Sequence, residues 1–388
     1  MTVSVLTAPS LPTRAPEAPR TAGRLRVLDG LRLLAALLVV LYHYVGEGGW
    51  SDPQRTFPVL GAIAPYAWLG VELFFLISGF VICMSAWGKP LTAFVRSRVV
   101  RLFPAYWFCV LATGAFLLLP GLPTEGDRPT ISQILTNLTM VQNPLGVDDV
   151  DHSYWTLWAE LRFYLLFAVV AWIGVTRKRV VAFCWLWTLA VVLAPAAGLP
   201  VLGLLANPVY APLFLSGIAF YLIRRNGPRQ GAPWALLGVN WLLAQHSMIE
   251  VSAHYSPHSH RLSWTVCVAV VTAFYVLMAA VALGYLDRID WRWLTTAGAI
   301  SYPLYLIHQA IGVHLLHLWR DALPPWVLLS AAVAVMVCVA WLIHRYVERP
   351  GGALLRRAFS LSAGTRGSGS REPGARESEA REPGARTR

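Results

Sequence analysis

The chain has 388 residues, is 56% hydrophobic and 13% charged, and has a mean hydropathy of +0.53. That balance excludes an ordinary soluble globular protein. The net charge of +12 comes from arginines at helix ends and in the tail. With no nucleic-acid-binding module in sight, it reads as topology and attraction to a lipid surface.

Residues 1–25 carry scattered arginine among Pro, Thr and Ala and lack the apolar segment of a signal peptide, so they are expected to form a disordered cytoplasmic extension. Apolar runs of spanning length then recur ten times, at roughly 30–46, 66–86, 102–120, 155–174, 180–196, 208–223, 233–247, 264–285, 297–318 and 325–346. The chain is therefore expected to be an all-α polytopic membrane protein, a bundle of about ten transmembrane helices over residues 26–350. Pro195, Pro200, Pro208 and Pro212 interrupt the region of the fifth and sixth runs. Arg24/Arg26, Arg96/Arg98/Arg101, Arg177/Lys178/Arg179, Arg224/Arg225/Arg229 and Arg288/Arg292 fall on one side, while Glu125, Asp127, Asp148, Asp149 and Asp151 fall on the other. The positive-inside rule then places both termini in the cytoplasm of a cell-membrane protein. Residues 351–388, with Arg-Glu-Pro-Gly-Ala-Arg at 371–376 and again at 381–386, are expected to be a disordered cytoplasmic tail.

The first span carries the most informative spacing. Arg32 and His43 are eleven helical steps apart, a turn of about 1100° and a rise of about 16 Å, so both lie on one face. An ionisable residue deep in a hydrocarbon-length helix points to function; the alternative is a histidine hydrogen-bonded inside the bundle. The second span opens on Gly70-Val71-Glu72-Leu73-Phe74-Phe75 and continues to Ser78-Gly79-Phe80. Glu72 needs a partner, and His43 is expected at a comparable depth; a structural ion pair or a protonated carboxyl is the alternative.

In Arg96-Ser97-Arg98-Val99-Val100-Arg101, Arg98 and Arg101 are three apart and make one basic helix face. Guanidinium forks suit phosphate, although plain positive-inside anchoring gives the same pattern. Pro104 should bend the helix one turn on. The fourth span places Glu160 about 10 Å below the outer surface, with Tyr164 one turn further on the same face. A carboxylate beside a histidine raises its basicity and fixes its tautomer, as a general base requires. Trp155 and Trp158 suit an interfacial aromatic belt, and Trp155 is also kept as a candidate for substrate contact. His308, near mid-membrane in the ninth span, is a second-tier candidate for the same polar cluster. The loop bearing His246, His254, His258 and His260 has no matched Cys or acid, so no metal site is expected. The five cysteines show no metal or redox spacing and read as small core residues.

Together and in order these motifs resemble the acyltransferase 3 family of integral membrane O-acyltransferases. The resemblance runs over residues 26–350. It rests on Leu28-Asp29-Gly30-Leu31-Arg32 with His43, Gly70–Phe80, Arg98–Arg101 with Pro104, Trp155–Tyr164 and Ser301-Tyr302-Pro303-Leu304-Tyr305-Leu306 to His308. Thr156 stands where serine is usual in the family. In length the chain is similar to the short members that acylate macrolide antibiotics. The resemblance implies acyl transfer, commonly from acyl-CoA as donor substrate with no permanently bound cofactor, to a hydroxyl of a sugar-containing acceptor. A macrolide antibiotic or a cell-envelope polysaccharide or glycolipid are the acceptor alternatives. It puts His43, Arg32 and Glu160 at the family's essential positions.

On this reading His43, polarised by Glu160 or Glu72, deprotonates the acceptor, while Arg32, Arg98 and Arg101 hold the CoA phosphates. The rival of another class is a small-molecule transporter with charges lining a pathway, but no paired broken helices in related halves are evident.

Overall fold

The computed structural model describes residues 25–47, 50, 52–121, 128–255 and 262–367, with side chains as far as Leu361. Residues 1–24 and 368–388, which hold most of both expected disordered segments, lie outside this set, as do His258 and His260. All regular structure among the described residues is helical.

Ten long helices follow the apolar runs. They are α1 (Arg26–Leu41), α2 (Gly70–Ala86), α3 (Leu91–Leu117), α4 (Trp155–Ile173), α5 (Arg177–Ala197), α6 (Ala211–Asn226), α7 (Gly231–His254), α8 (Trp264–Leu283), α9 (Trp293–Trp319) and α10 (Pro325–Ile343). With their flanking turns, eight of these are long and apolar enough to cross a membrane; α7 and α9 are long enough but more polar. The polarity of α9 has a physical reason. It packs against α1, α3 and α10, and its Ser301 and His308 are 1% and 0% exposed, so its polar groups meet protein rather than lipid.

Three expected boundaries are corrected, the first at α7, which runs on to His254 and so carries His246 and His254 on a helix rather than in a loop. Helix α3 starts at Leu91 rather than near 102, so Arg96, Arg98 and Arg101 stand on its first turns. The chain also stays helical beyond α10: a π turn over His344–Glu348 leads into α11 (Arg349–Gly367), where a disordered tail was expected from 351. Of the cysteines, Cys83, Cys109, Cys184 and Cys267 are buried, but Cys338 is exposed on the outside of the bundle.

The two closest helix pairings build the core. Helices α1 and α9 run side by side, Gly30 against Leu294 and Tyr44, just past the end of α1, against Gly312. Helices α2 and α6 cross through glycine: a Cβ on Gly79 would run into the Phe214 carbonyl, and one on Gly217 into the Leu76 carbonyl. Small residues at a helix crossing let backbones approach where lipid supplies no hydrophobic drive. Gly217→Val is accordingly expected to destabilise the bundle by at least about 1–3 kcal/mol, read as a lowered melting temperature in detergent; an unchanged melting curve contradicts the tight crossing.

The arginine clusters gather at one end of the bundle, where Arg26 pairs with Asp290 at 2.9 Å and Arg224 with Asp287 at 2.9 Å. Asp148, Asp149 and Asp151 lie at the other, in the segment between α3 and α4.

Candidate active site

Helix α1 widens at its acidic end into a π turn over Tyr42–Glu47, a local irregularity that recurs at functional sites. The turn stacks residues four apart, and His43 Nδ1 lies 2.5 Å from Glu47 Oε2. An ionised carboxylate only accepts, so Nδ1 carries the hydrogen and Nε2 keeps its lone pair. This corrects the expected pairing: the carboxylate on His43 is Glu47, four residues along its own helix, and neither Glu72 nor Glu160.

His308 stands beside it, the ring centroids 5.2 Å apart. Its Nδ1 lies 2.8 Å from the Tyr305 carbonyl, which fixes the proton there, and Nε2 has no hydrogen-bond partner among the described residues. The two imidazoles thus lie side by side, His43 bordering the cavities and His308 fully buried behind it.

The walls around them are held by side chains bonded to α9. Asp151, 1% exposed, accepts from the Ser153 amide at 3.0 Å, the Ser153 hydroxyl at 2.6 Å and the Ala310 amide at 3.0 Å. Burial pushes its carboxyl up, and these hydrogen bonds pull the other way. Thr156 puts its hydroxyl 2.7 Å from that of Tyr305. A narrow cavity of about 30 Å³ beside His43 is walled by Trp68, Val71, Trp155, Tyr255, Tyr305 and Gln309. Trp155 therefore lines the site, its ring 5.1 Å from that of Tyr210.

A second polar centre lies one step towards the arginine-rich end. Arg32, Arg101, Glu160 and Tyr164 share a cavity of about 60 Å³. The Ser78 hydroxyl donates to Glu160 at 2.8 Å, and the charges of Arg101 and Glu160 both act on Arg32. Beyond Arg101 the protein opens into a much larger cavity of about 1200 Å³, lined by arginines that include Arg96, Arg98 and Arg101. Arg98 is steadied by the hydroxyls of Ser85 at 3.2 Å and Ser97 at 3.1 Å.

The cavities form a series. Arg101 lines both the large basic one and the Arg32–Glu160 one; Val71 and Tyr305 line both that one and the His43 one. His43, Glu47, His152 and Gln309 in turn border a cavity of about 750 Å³ that reaches Asp148 and Asp149 at the acidic end. A line of polar side chains therefore runs the length of the bundle.

With that geometry in view, comparison with known families is decisive: an acyltransferase domain (Acyl_transf_3) matches residues 25–345. The chain belongs to the acyltransferase 3 family. It is 27% identical over 375 residues to Acyltransferase MdmB of Streptomyces mycarofaciens, covering 87% of this chain and 94% of that protein. It is 29% identical over 160 residues to the O-acetyltransferase OatA of Staphylococcus aureus, covering 37% of this chain and 24% of OatA. No solved structure matches it. Acyltransferase 3 membership makes the protein an O-acyltransferase, and the transporter reading gives way.

Of the residues singled out from the sequence, Arg32, Arg101, Glu160 and Tyr164 come together, Arg98 stands at the entrance, and His43, His308 and Trp155 form the neighbouring centre. Glu72 joins neither. It is fully buried, and neither carboxyl oxygen has a hydrogen-bond partner among the described residues. Its neighbour Val71 faces the cavity, and one residue is a turn of about 100° on a helix. Sequence reasoning missed Glu47, whose signal was the i, i+4 spacing to His43, the neighbours His152 and Asp151 in the segment before α4, which gave no pattern to read, and Gln309, which follows His308 on α9.

Proposed function

We propose that this acyltransferase 3 protein carries an acyl group from acyl-CoA, bound at the arginine-rich end, to the hydroxyl of a sugar-containing acceptor that approaches from the acidic end. The observation that supports this most is the shared lining of the cavities from Arg98 to Asp149. CoA phosphates meet Arg98 and Arg101. Arg32 and Glu160, one cavity further in, offer a donor and an acceptor to the amides of the pantetheine arm. The thioester then reaches His43.

There His43 Nε2 takes the acceptor's hydroxyl proton as that oxygen attacks the thioester carbonyl. The tetrahedral intermediate collapses, the C–S bond breaks, and the imidazolium returns the proton to the departing thiolate, giving an ester and free CoA. Glu47 stabilises the imidazolium, and His308 packs against the His43 ring from behind. The acceptor is a small glycosylated molecule such as a macrolide antibiotic; a cell-envelope polysaccharide or glycolipid is the other outcome of the test.

The test is a membrane-fraction assay with radiolabelled acyl-CoA and a panel of hydroxylated acceptors. Labelled ester supports the reading. Label that stays on CoA across small glycosides, polysaccharide and glycolipid alike contradicts it.

Two further results are expected. Arg98→Ala or Arg101→Ala removes a charge-assisted contact of about 1.5–3 kcal/mol, raising the apparent KM for acyl-CoA roughly ten- to a hundredfold while the acceptor KM holds. Lysine rescues only in part, and an unmoved acyl-CoA response returns these arginines to membrane anchoring. Reporter fusions after Arg225 and Arg292 should report the cytoplasm and one at Asp149 the outside; a reversed pattern puts the arginine-rich cavity on the wrong side for cytoplasmic acyl-CoA.

A further inference from the structure

The large basic cavity is only half built by the segment that matches the family. Its other wall is the C-terminal π turn and α11, which lie almost wholly beyond residue 345, where the match ends. Arg345, Arg349 and Arg356 line it together with Arg96, Arg98 and Arg101 of α3. The spacing of 345, 349, 352, 356 and 360 is helical, so the three C-terminal arginines share one face, with Gly352 between them leaving a trough.

Close packing holds this wall against α3. A Cβ on Gly351 would sit 2.9 Å from the Pro104 side chain, and one on Gly352 only 3.4 Å from the Val100 carbonyl oxygen. Arg96 lies 5.6 Å over the Phe359 ring, a contact that joins the two helices.

Charge makes the arrangement informative. Six guanidinium groups border one cavity with a single carboxylate, Glu348, and His344 already engages that carboxylate at 2.9 Å. Like charges on facing helices repel, so a tight packing that brings them together is stabilised by an anion of several charges placed between them. The arginines also differ in depth. Arg101 adjoins the inner Arg32–Glu160 cavity, whereas Arg345, Arg349 and Arg356 are exposed at the rim.

A ligand threaded thioester-first meets these groups in the order of its own chemistry, pantetheine, then pyrophosphate, then the phosphorylated ribose. We propose that α11 is a nucleotide-reading element: Arg349 and Arg356, with Arg345, bind the 3′-phosphate of CoA, while Arg98 and Arg101 bind its pyrophosphate. The inference rests on the acyl-CoA reading above and gives it a selectivity, for CoA over dephospho-CoA.

The experiment uses the full chain in nanodiscs and measures equilibrium binding of labelled CoA and dephospho-CoA, with KM values for acetyl-CoA and acetyl-dephospho-CoA alongside. The unaltered protein is expected to prefer CoA by roughly ten- to a hundredfold. Arg349→Gln, Arg356→Gln and the double variant, all at exposed positions, are expected to weaken CoA to the level of dephospho-CoA and leave dephospho-CoA binding where it was. Arg356→Lys should recover part of the preference.

CoA preference that survives the double variant overturns the inference and leaves the acyl-CoA reading standing. Absence of CoA binding by the unaltered protein overturns both. A cavity that serves anionic lipid instead gives a third pattern: the variants change only the response to phosphatidylglycerol in the nanodisc, and this also overturns the inference.

Discussion

Replacing His43 with Gln should abolish acyl transfer while leaving a folded, membrane-inserted protein that still binds acyl-CoA. A general base contributes about a hundred- to ten-thousandfold in rate, and glutamine keeps a hydrogen-bonding amide of similar reach without taking up a proton. The surroundings are suited to show the difference. His43 is 8% exposed, its Nδ1 is committed to Glu47, and its ring packs against Tyr42 and His308. A histidine that merely packs predicts the reverse: His43→Gln tolerated, His43→Ala destabilising, and activity tracking the amount of folded protein. Near-normal turnover by the Gln variant eliminates the general-base role, although family membership would stand.

The outline of this site was legible because membrane proteins advertise polar residues against an apolar background. Glu160 stood out by its cost, Arg32 by its spacing from His43, and Tyr164 by lying one turn on along the face of Glu160. What the sequence concealed was local. The π turn that brings His43 and Glu47 together is a one-residue change in helical repeat, and nothing in Tyr42–Glu47 marks it. Partners for His43 were sought at equal depth on other helices, a search that passes over a carboxylate one turn along the same chain. Glu72 shows the converse: its cost was plain, but which way it faces depends on the rotation of α2 against α6, set by Gly79 and Gly217 at the crossing.

The ends of helices were concealed for another reason. Hydropathy falls where charge begins, yet arginine is a good helix former, so α3 extends back to Leu91 through Arg96, Arg98 and Arg101. In α11 the Pro350-Gly351-Gly352 run reads as a breaker, but the helix passes through it directly behind the π turn at His344–Glu348, an irregularity that accommodates a missing backbone bond, and the glycines permit the docking on α3. Composition predicts disorder there; a tertiary contact overrides it.

The second large effect is expected at Glu47. If its carboxylate fixes the Nδ1–H tautomer of His43 and stabilises the imidazolium, Glu47→Gln should lower kcat steeply. Losing the carboxylate that orients a histidine base has cost up to about 10⁴-fold elsewhere. The amide has two ways to meet Nδ1. Through its oxygen it preserves the tautomer but not the charge; through its NH₂ it forces the proton onto Nε2, where the base should be bare. Glu47→Asp keeps the charge on a shorter arm and should recover part of the rate, whereas a purely structural contact would rank Gln above Asp. Acyl-CoA binding should not move in either variant, because Glu47 lies beyond the Arg32–Glu160 cavity from the basic end. The decisive readout is therefore the order of the two variants in kcat. A Gln variant that turns over as fast as Asp, or faster, makes Glu47 a packing residue and leaves His43 to act without a carboxylate.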